Sequence, residues 1–265
     1  RGDVAEPQSL KFRRTTTYGT MVFENEDTSR EAIVPTNMMV RGKGAQDHAM
    51  AGSGVVQARS SRNFEDACCI EERQGGYLSG SEEEDVLPVE LRKALLKPSL
   101  RTTKSYSKLW GKIKTWLQGT GAERGSAHLR HFYDTPSIKQ ALENFAAEFE
   151  PVDGQIGAII MFSGVPVGIE VMPSSAHWEA YWKHLIRGCY GAELLRLKNL
   201  GRVQQSTLIL PDIPVDATPE QVKEKLNDFA QHLRREILPI LEAIDVKSQT
   251  SMGRNGSMTT TLVST

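Results

Sequence analysis

The sequence predicts an α+β protein, with a β-rich N-terminal half packed against C-terminal helices and a β-hairpin. Three observations carry this. Residues 15–64 hold short runs rich in β-branched and aromatic side chains, set off by polar and glycine clusters. From residue 106 onward, apolar residues recur at the helical period. Between two of those helical stretches lies an apolar pair of runs joined by Ser163-Gly164, the signature of a hairpin.

In chain order, Thr15 to Phe23 and Ala32 to Val40 read as strands, with weaker ones at Ser53 to Arg59 and Phe64 to Ile70. The stretch GGYLSGSEEED (75–85) reads as an exposed loop, and 118–127 as another. Tyr106, Trp110, Ile113 and Leu117 make a helical stripe. Ile138, Ala141, Leu142, Phe145 and Phe149 make a second, started by Asp134-Thr135-Pro136. Gln155 to Phe162 and Val165 to Met172 form the hairpin. Ser174-Ser175 caps a long helix with Trp178, Trp182, Leu185 and Cys189 on one face. Thr218-Pro219-Glu220-Gln221 is a capping box opening a last helix, with Val222, Leu226, Phe229, Leu233, Ile237, Leu241 and Ile244 as its stripe and a kink at Pro239. The expected division is an extended or disordered segment at 1–14, one α+β domain at 15–245 with an inserted charged helical region near 80–135, and a tail or edge strand at 246–265.

Composition bounds the class. An apolar content of 39%, a charged content of 25% and a formal charge of −1 are those of a soluble globular protein. No apolar run nears the roughly 18 residues that cross a bilayer. The start is polar and basic, unlike a signal peptide. It opens on Arg1, as a fragment or a processed form would. Three cysteines, two of them adjacent, give no disulfide framework and fit a reducing, cytoplasmic setting. The near-zero charge hides an acidic block at 65–90 and a basic block at 91–131.

Candidate chemistry gathers between Arg41 and Tyr77. Gln46-Asp47-His48 follows the glycines Gly42 and Gly44, which permit a tight turn; Asp and His are a common acid–base pair, and a hydrogen-bonded polar turn is the plainer alternative. Cys69 and Glu71 would share one face of a strand. A carboxylate there raises a thiol's pKa, which disfavours a thiolate unless His48 or Arg59 offsets it. Cys68 and Cys69 also fit small core residues. Glu170 is an acid in an apolar hairpin strand, facing solvent or a cleft shared with Gln155. His177 and His184 are badly spaced for a metal, and packing explains their helix. The basic block interleaves Tyr106, Trp110 and Trp116 with lysines and arginines, as a nucleic-acid surface does, and equally as a solvated charged face does.

The run Gly42-x-Gly44-Ala45-Gln46-Asp47-His48, then Cys69-Ile70-Glu71 and Gln74-Gly75-Gly76-Tyr77, resembles the ARG and Rhodanese-Phosphatase-superfamily-associated Protein domain. The stretch Gly154-Gln155-Ile156-Gly157-Ala158 to Gly168-x-Glu170-Val171 resembles that family's second signature, and the likeness covers about 15–265. His48 stands where the family carries Arg. The family name records association with ADP-ribosylglycohydrolases and rhodanese-like phosphatases, which implies a role in NAD or ADP-ribose metabolism.

The expected function is therefore binding or hydrolysis of a nucleotide-like or ADP-ribose-like ligand. Asp47, His48, Cys69 and Glu71 would carry chemistry, with Asp47 or Glu71 as general base and His48 as acid or anion binder. Gly42, Gly44, Gln46, Arg59, Gln155 and Glu170 would hold the ligand. The alternative is a binding module that uses 91–131 for nucleic acid or an acidic partner. A third reading is an oligomeric scaffold built on the tryptophan-bearing helix. The sequence identifies no cofactor and leaves metal use open.

Overall fold

The computed structural model describes residues 4–17, 19–42, 45–72, 83–95, 106–122, 124–162, 165–201, 218–221, 224, 225, 228, 231, 247–252 and 258–263. It is an α+β protein with strands first and helices after. Among the described residues no helix is long and apolar enough to cross a membrane.

A 3₁₀ turn at Pro7–Ser9 leads into strands β1 (Leu10–Arg14), β2 (Met21–Asn25), β3 (Ala32–Val34), β4 (Met38–Arg41), β5 (His48–Met50), β6 (Gly54–Val56), β7 (Ser60–Phe64), β8 (Ala67–Cys69) and β9 (Glu83–Val86). They form a three-stranded sheet β1-β2-β7, a pair β3-β6, and a four-stranded sheet β8-β5-β4-β9. Of the expected strand over 15–23, only Met21 to Phe23 is strand, at the start of β2, and the residues before them turn the chain from β1 to β2. Thr20 explains the break, since its hydroxyl gathers the Thr16 and Thr17 amides into a tight turn. The expected strand 32–40 is likewise interrupted, by Pro35 and by Asn37 at φ 64°.

The four-stranded sheet organises the molecule because both of its faces are covered. Alternation sends Met39, Ala49 and Cys68 into a core shared with the helices. It sends Met38, Val40, Met50 and Ala67 the other way, into a core shared with the strands, including Phe12, Phe23 and Phe64. Register fixes two cross-sheet rows: Cys69, His48, Val40 and Glu84 lie opposite one another, and so do Cys68, Ala49, Met39 and Asp85. Burying Phe12, Met21 and Phe23 supplies roughly 1.5–3 kcal/mol per side chain before entropy is counted.

Helices α1 (Val89–Leu95), α2 (Tyr106–Gln118), α3 (Arg130–Tyr133) and α4 (Pro136–Ala147) pack over the second of those rows. The hairpin β10 (Gly157–Phe162) and β11 (Val165–Val171) lies where the sequence places it. Helix α5 (Ser175–His184) starts on Ser174, whose hydroxyl accepts from the His177 amide. It then widens into a π-helical stretch at Leu185–Gly191 before α6 (Ala192–Asn199). A pair β12 (Lys247–Met252) and β13 (Met258–Val263) closes the chain. The Thr218–Gln221 capping box forms as expected, with Thr218 N–H donating to Gln221 Oε1 and Gln221 N–H to Thr218 Oγ1. The stripe expected at 222, 226, 229, 233, 237, 241 and 244, and Pro239, lie outside the described residues.

Two expectations are corrected. The acidic run is not all exposed loop: its last residues are β9, and Asp85 is fully buried at the sheet edge. Strand β11 is inverted relative to a solvent-facing acid. Glu170 is buried while Ile169 and Val171 are exposed, because Arg92 and Tyr190 await the carboxylate inside.

Candidate functional site

Gln46, Asp47 and Glu71 converge from the turn before β5 and the segment after β8. Both carboxylates are fully buried. Arg130, at the first turn of α3, holds them: its Nη2 lies 2.6 Å from Asp47 Oδ1 and its Nε 2.6 Å from Glu71 Oε1. The same guanidinium donates to the carbonyls of Gly42 (2.5 Å) and Ala45 (2.9 Å). Gly42 N–H donates to Asp47 Oδ1 at 2.9 Å, and Asp47 N–H to Glu71 Oε2 at 3.1 Å. Gln46 Nε2 donates to the Glu71 carbonyl at 2.9 Å, while its Oε1 is buried without a partner among the described residues.

Burial, and then the charge of Asp47, pushes the Glu71 carboxyl up to about 8. Burial raises Asp47 too, but Arg130 and the Gly42 amide oppose it. At neutral pH, Asp47 therefore holds the negative charge of the pair and Glu71 holds the proton.

His48 and Cys69 belong to the opposite face. His48 Nδ1 meets the Gln46 carbonyl at 2.8 Å, so it carries the hydrogen, and Nε2 accepts from the Cys69 thiol at 3.2 Å. Burial holds His48 below its ordinary range and lifts Cys69 to about 11. The pair is a neutral imidazole and a neutral thiol. Cys69 and Glu71 do not work as a unit, because β8 ends at Cys69 before alternation can carry Glu71 along.

The remaining candidates lie elsewhere. Gly44 is outside the described residues. Arg59 sits exposed at φ 50° in the turn before β7, its amide donating to Asp27 O. Gln155 serves its own loop, accepting from Val152 N–H and donating to Gly157 O. Glu170 accepts from Tyr190 at 2.5 Å and pairs with Arg92, whose guanidinium also reaches Cys189 Sγ.

Sequence reasoning missed the residues that extend the Asp47 cluster. Arg41, at the end of β4, acts electrostatically on Asp47 and reaches Asp85 Oδ2 at 3.4 Å. Asp85 also binds Arg187 Nη2 at 2.9 Å, and Arg187 Nη1 binds Glu143 at 3.0 Å. A ladder of alternating charge thus runs along the helical face through Arg130, Asp47, Arg41, Asp85, Arg187 and Glu143, with the protonated Glu71 set against Arg130. The π-helical stretch makes this fit, since Gly188 leaves room for the Asp85 carboxylate and its carbonyl accepts from Tyr133 Oη at 2.6 Å. The signal for Asp85 was its place directly before the apolar Val86-Leu87.

This ladder reaches solvent at a crevice of about 370 Å³ lined by Arg41, Glu83, Tyr133, Asp134, Lys139, Leu142 and Arg187. The Arg41 guanidinium carbon lies over the Tyr133 ring, 4.6 Å from its centroid. Lys139 is exposed, and its ammonium meets no described partner. Glu83 (71% exposed) and Asp134 (64%) stand at the rim beside Arg41. Among the described residues, no group of three His, Cys, Asp or Glu side chains converges as a metal site requires.

Within the basic block, Arg92 and Arg130 are spent on Glu170, Asp47 and Glu71. The Trp110 indole donates to Cys69 O and the Trp116 indole to Glu193 Oε2. Lys97, Arg101 and Lys104 lie outside the described residues.

A buried acid–amide–arginine cluster beside a polar crevice defines a protein with a candidate small-molecule site. The chain matches the model of the ARG and Rhodanese-Phosphatase-superfamily-associated Protein domain over residues 4–255, and it belongs to that family. No curated protein and no solved structure matches it.

Proposed function

We propose that the protein binds a nucleotide-like ligand of the ADP-ribose type in the crevice beside Asp47. The observation that carries this reading is the meeting of Arg41, Lys139 and Arg187 at one solvent-reachable opening. Asp85 fixes the two guanidinium groups from below, and Glu143 holds Arg187 as well, so a phosphate would gain from their fixed positive charge and would take the place of the exposed Glu83 beside Arg41. Lys139 adds a cation that no described carboxylate neutralises. Glu83 and Asp134 are exposed enough to turn away from Arg41 and accept hydrogen bonds from ribose hydroxyls. The volume suits one such moiety. The link to ADP-ribosylglycohydrolases that the sequence resemblance implies favours ADP-ribose over other phosphate esters.

A hydrolytic reading draws on the buried carboxyl pair behind the crevice and is supported by the split between the two groups. Asp47, the charged member, would act as base towards water and Glu71 as proton donor. Both are sealed from solvent here, so binding is the primary reading and hydrolysis the second.

Titration with ADP-ribose tests the first reading, with pyrophosphate as competitor. Saturable binding that weakens with salt and with pyrophosphate supports it. A folded sample with no affinity at millimolar ADP-ribose overturns it. Chromatography after incubation with NAD or ADP-ribose tests the second: product that vanishes in Glu71→Gln supports hydrolysis, and no product removes it.

A further inference from the structure

The opposite face of the four-stranded sheet carries a larger opening. A cleft of about 460 Å³ lies between the N-terminal segment, β3 and α5. Its walls are mainly apolar: Leu10, Phe12, Ile33, Met38, Met172 and Ala180. Two carboxylates line it: Glu6, which pairs with Arg30 at 3.4 Å, and Glu84. Glu84 belongs to the row of Val40 and His48, the face opposite Asp85, so β9 sends one acid into the charge ladder and the next into this cleft.

Glu84 differs from the other acids of the fold. Asp47, Glu71, Asp85 and Glu170 each hold an arginine. Glu84 is half-buried and makes no hydrogen bond or ion pair with any described residue; Lys11, which lines the same cleft, acts on it electrostatically without bonding to it. Near it the Tyr181 hydroxyl is buried without a hydrogen-bond partner among the described residues, and Tyr181 lines the cleft; His184 lines it too, with its Nδ1 turned to Asp85 at 4.0 Å. An apolar slot with a few unmet polar groups at one end is how small-molecule sites are built. The sign of the head group follows from Glu84. A carboxylate or phosphate there would meet an unneutralised acid, whereas an ammonium would give Glu84 its missing partner.

We propose that this cleft is a second binding site, for a small aromatic or branched-alkyl amine whose ammonium pairs with Glu84. The apolar walls take the body of the amine, and the Tyr181 hydroxyl accepts a second N–H. The site is separate from the crevice at Arg41 and does not rest on the nucleotide reading.

Tryptamine is the probe, with 3-indolepropionate as its counterpart of opposite charge, both followed by chemical-shift titration of the full chain. Saturable tryptamine binding and no saturable indolepropionate binding are expected. Glu84→Gln weakens tryptamine at least tenfold. Ala180→Trp, on an exposed stretch of α5, fills the cleft and abolishes binding, so the test survives if Glu84→Gln fails to fold. Lys139→Glu, at the crevice, leaves tryptamine binding unchanged. Absence of saturable tryptamine binding, equal binding of the acid, or unchanged affinity in either cleft variant overturns the proposal.

Discussion

Arg130 Nε lies 2.6 Å from Glu71 Oε1, although β9 and helices α1 and α2 separate the two residues in sequence order. That contact, with the companion one to Asp47, joins the strand half to the helical half. It is sealed from water on the carboxylate side, so its strength depends on each charge keeping its partner.

Removing the arginine leaves two buried carboxyls with no cation. Arg130→Met should cost about 3–5 kcal/mol in urea unfolding. Adding Asp47→Asn and Glu71→Gln should restore part of the loss, because neutral amides need no cation. An Arg130→Met protein as stable as wild type would show that the cluster holds nothing together.

Glu71 makes stability fall as pH rises. Its carboxyl keeps a proton up to about 8 in the folded state, against 4.5 for the ordinary group. Between those values the folded state binds more protons than the unfolded one, so rising pH drives unfolding. From about pH 5 to about pH 9, wild type should lose roughly 1–3 kcal/mol more than Glu71→Gln. Parallel pH profiles for the two proteins would contradict this.

The cysteines should be inert. Burial lifts Cys69 to about 11 and Cys189 to about 12, and Cys68 is buried as well. Iodoacetamide at about pH 8 should label the native protein on the order of 100-fold more slowly than a free thiol, and should label all three cysteines after denaturation. Rapid labelling of native Cys69 would mean that the His48 pair is an activated nucleophile after all.

Gly188→Ala should destabilise, against the usual helical trend in which alanine gains about 1 kcal/mol over glycine. A methyl there overlaps the Asp85 carboxylate, which Arg41 and Arg187 hold in place. Thermal unfolding should report a loss of roughly 1–3 kcal/mol. A stabilised variant would mean that the π-helical stretch does not clasp Asp85.

Much of the fold was legible because periodicity is local. The hairpin at 157–171, the Pro136 helix start and the Thr218 capping box depend on residues close in sequence, and each forms where expected. The convergence of Gln46, Asp47 and Glu71 was legible through their motif. Arg130 was not, because a lone arginine in a basic block looks like surface until a partner strand is placed against it. Met38-Met39 hides its strand's two faces, since both residues are apolar and each enters a different core. Asp85 was read as loop and Glu170 left between solvent and a cleft for one reason: an acid's burial is decided by distant arginines, here Arg187 and Arg92.

Calorimetric titration of ADP-ribose into wild type and Lys139→Glu is the most direct test of the central claim. Lys139 is exposed and unpaired among the described residues, so the variant keeps its fold and changes only the charge at the mouth. Wild type should bind saturably, and the variant at least tenfold more weakly. No heat with wild type at millimolar ligand, or equal affinity in the two proteins, would contradict the account.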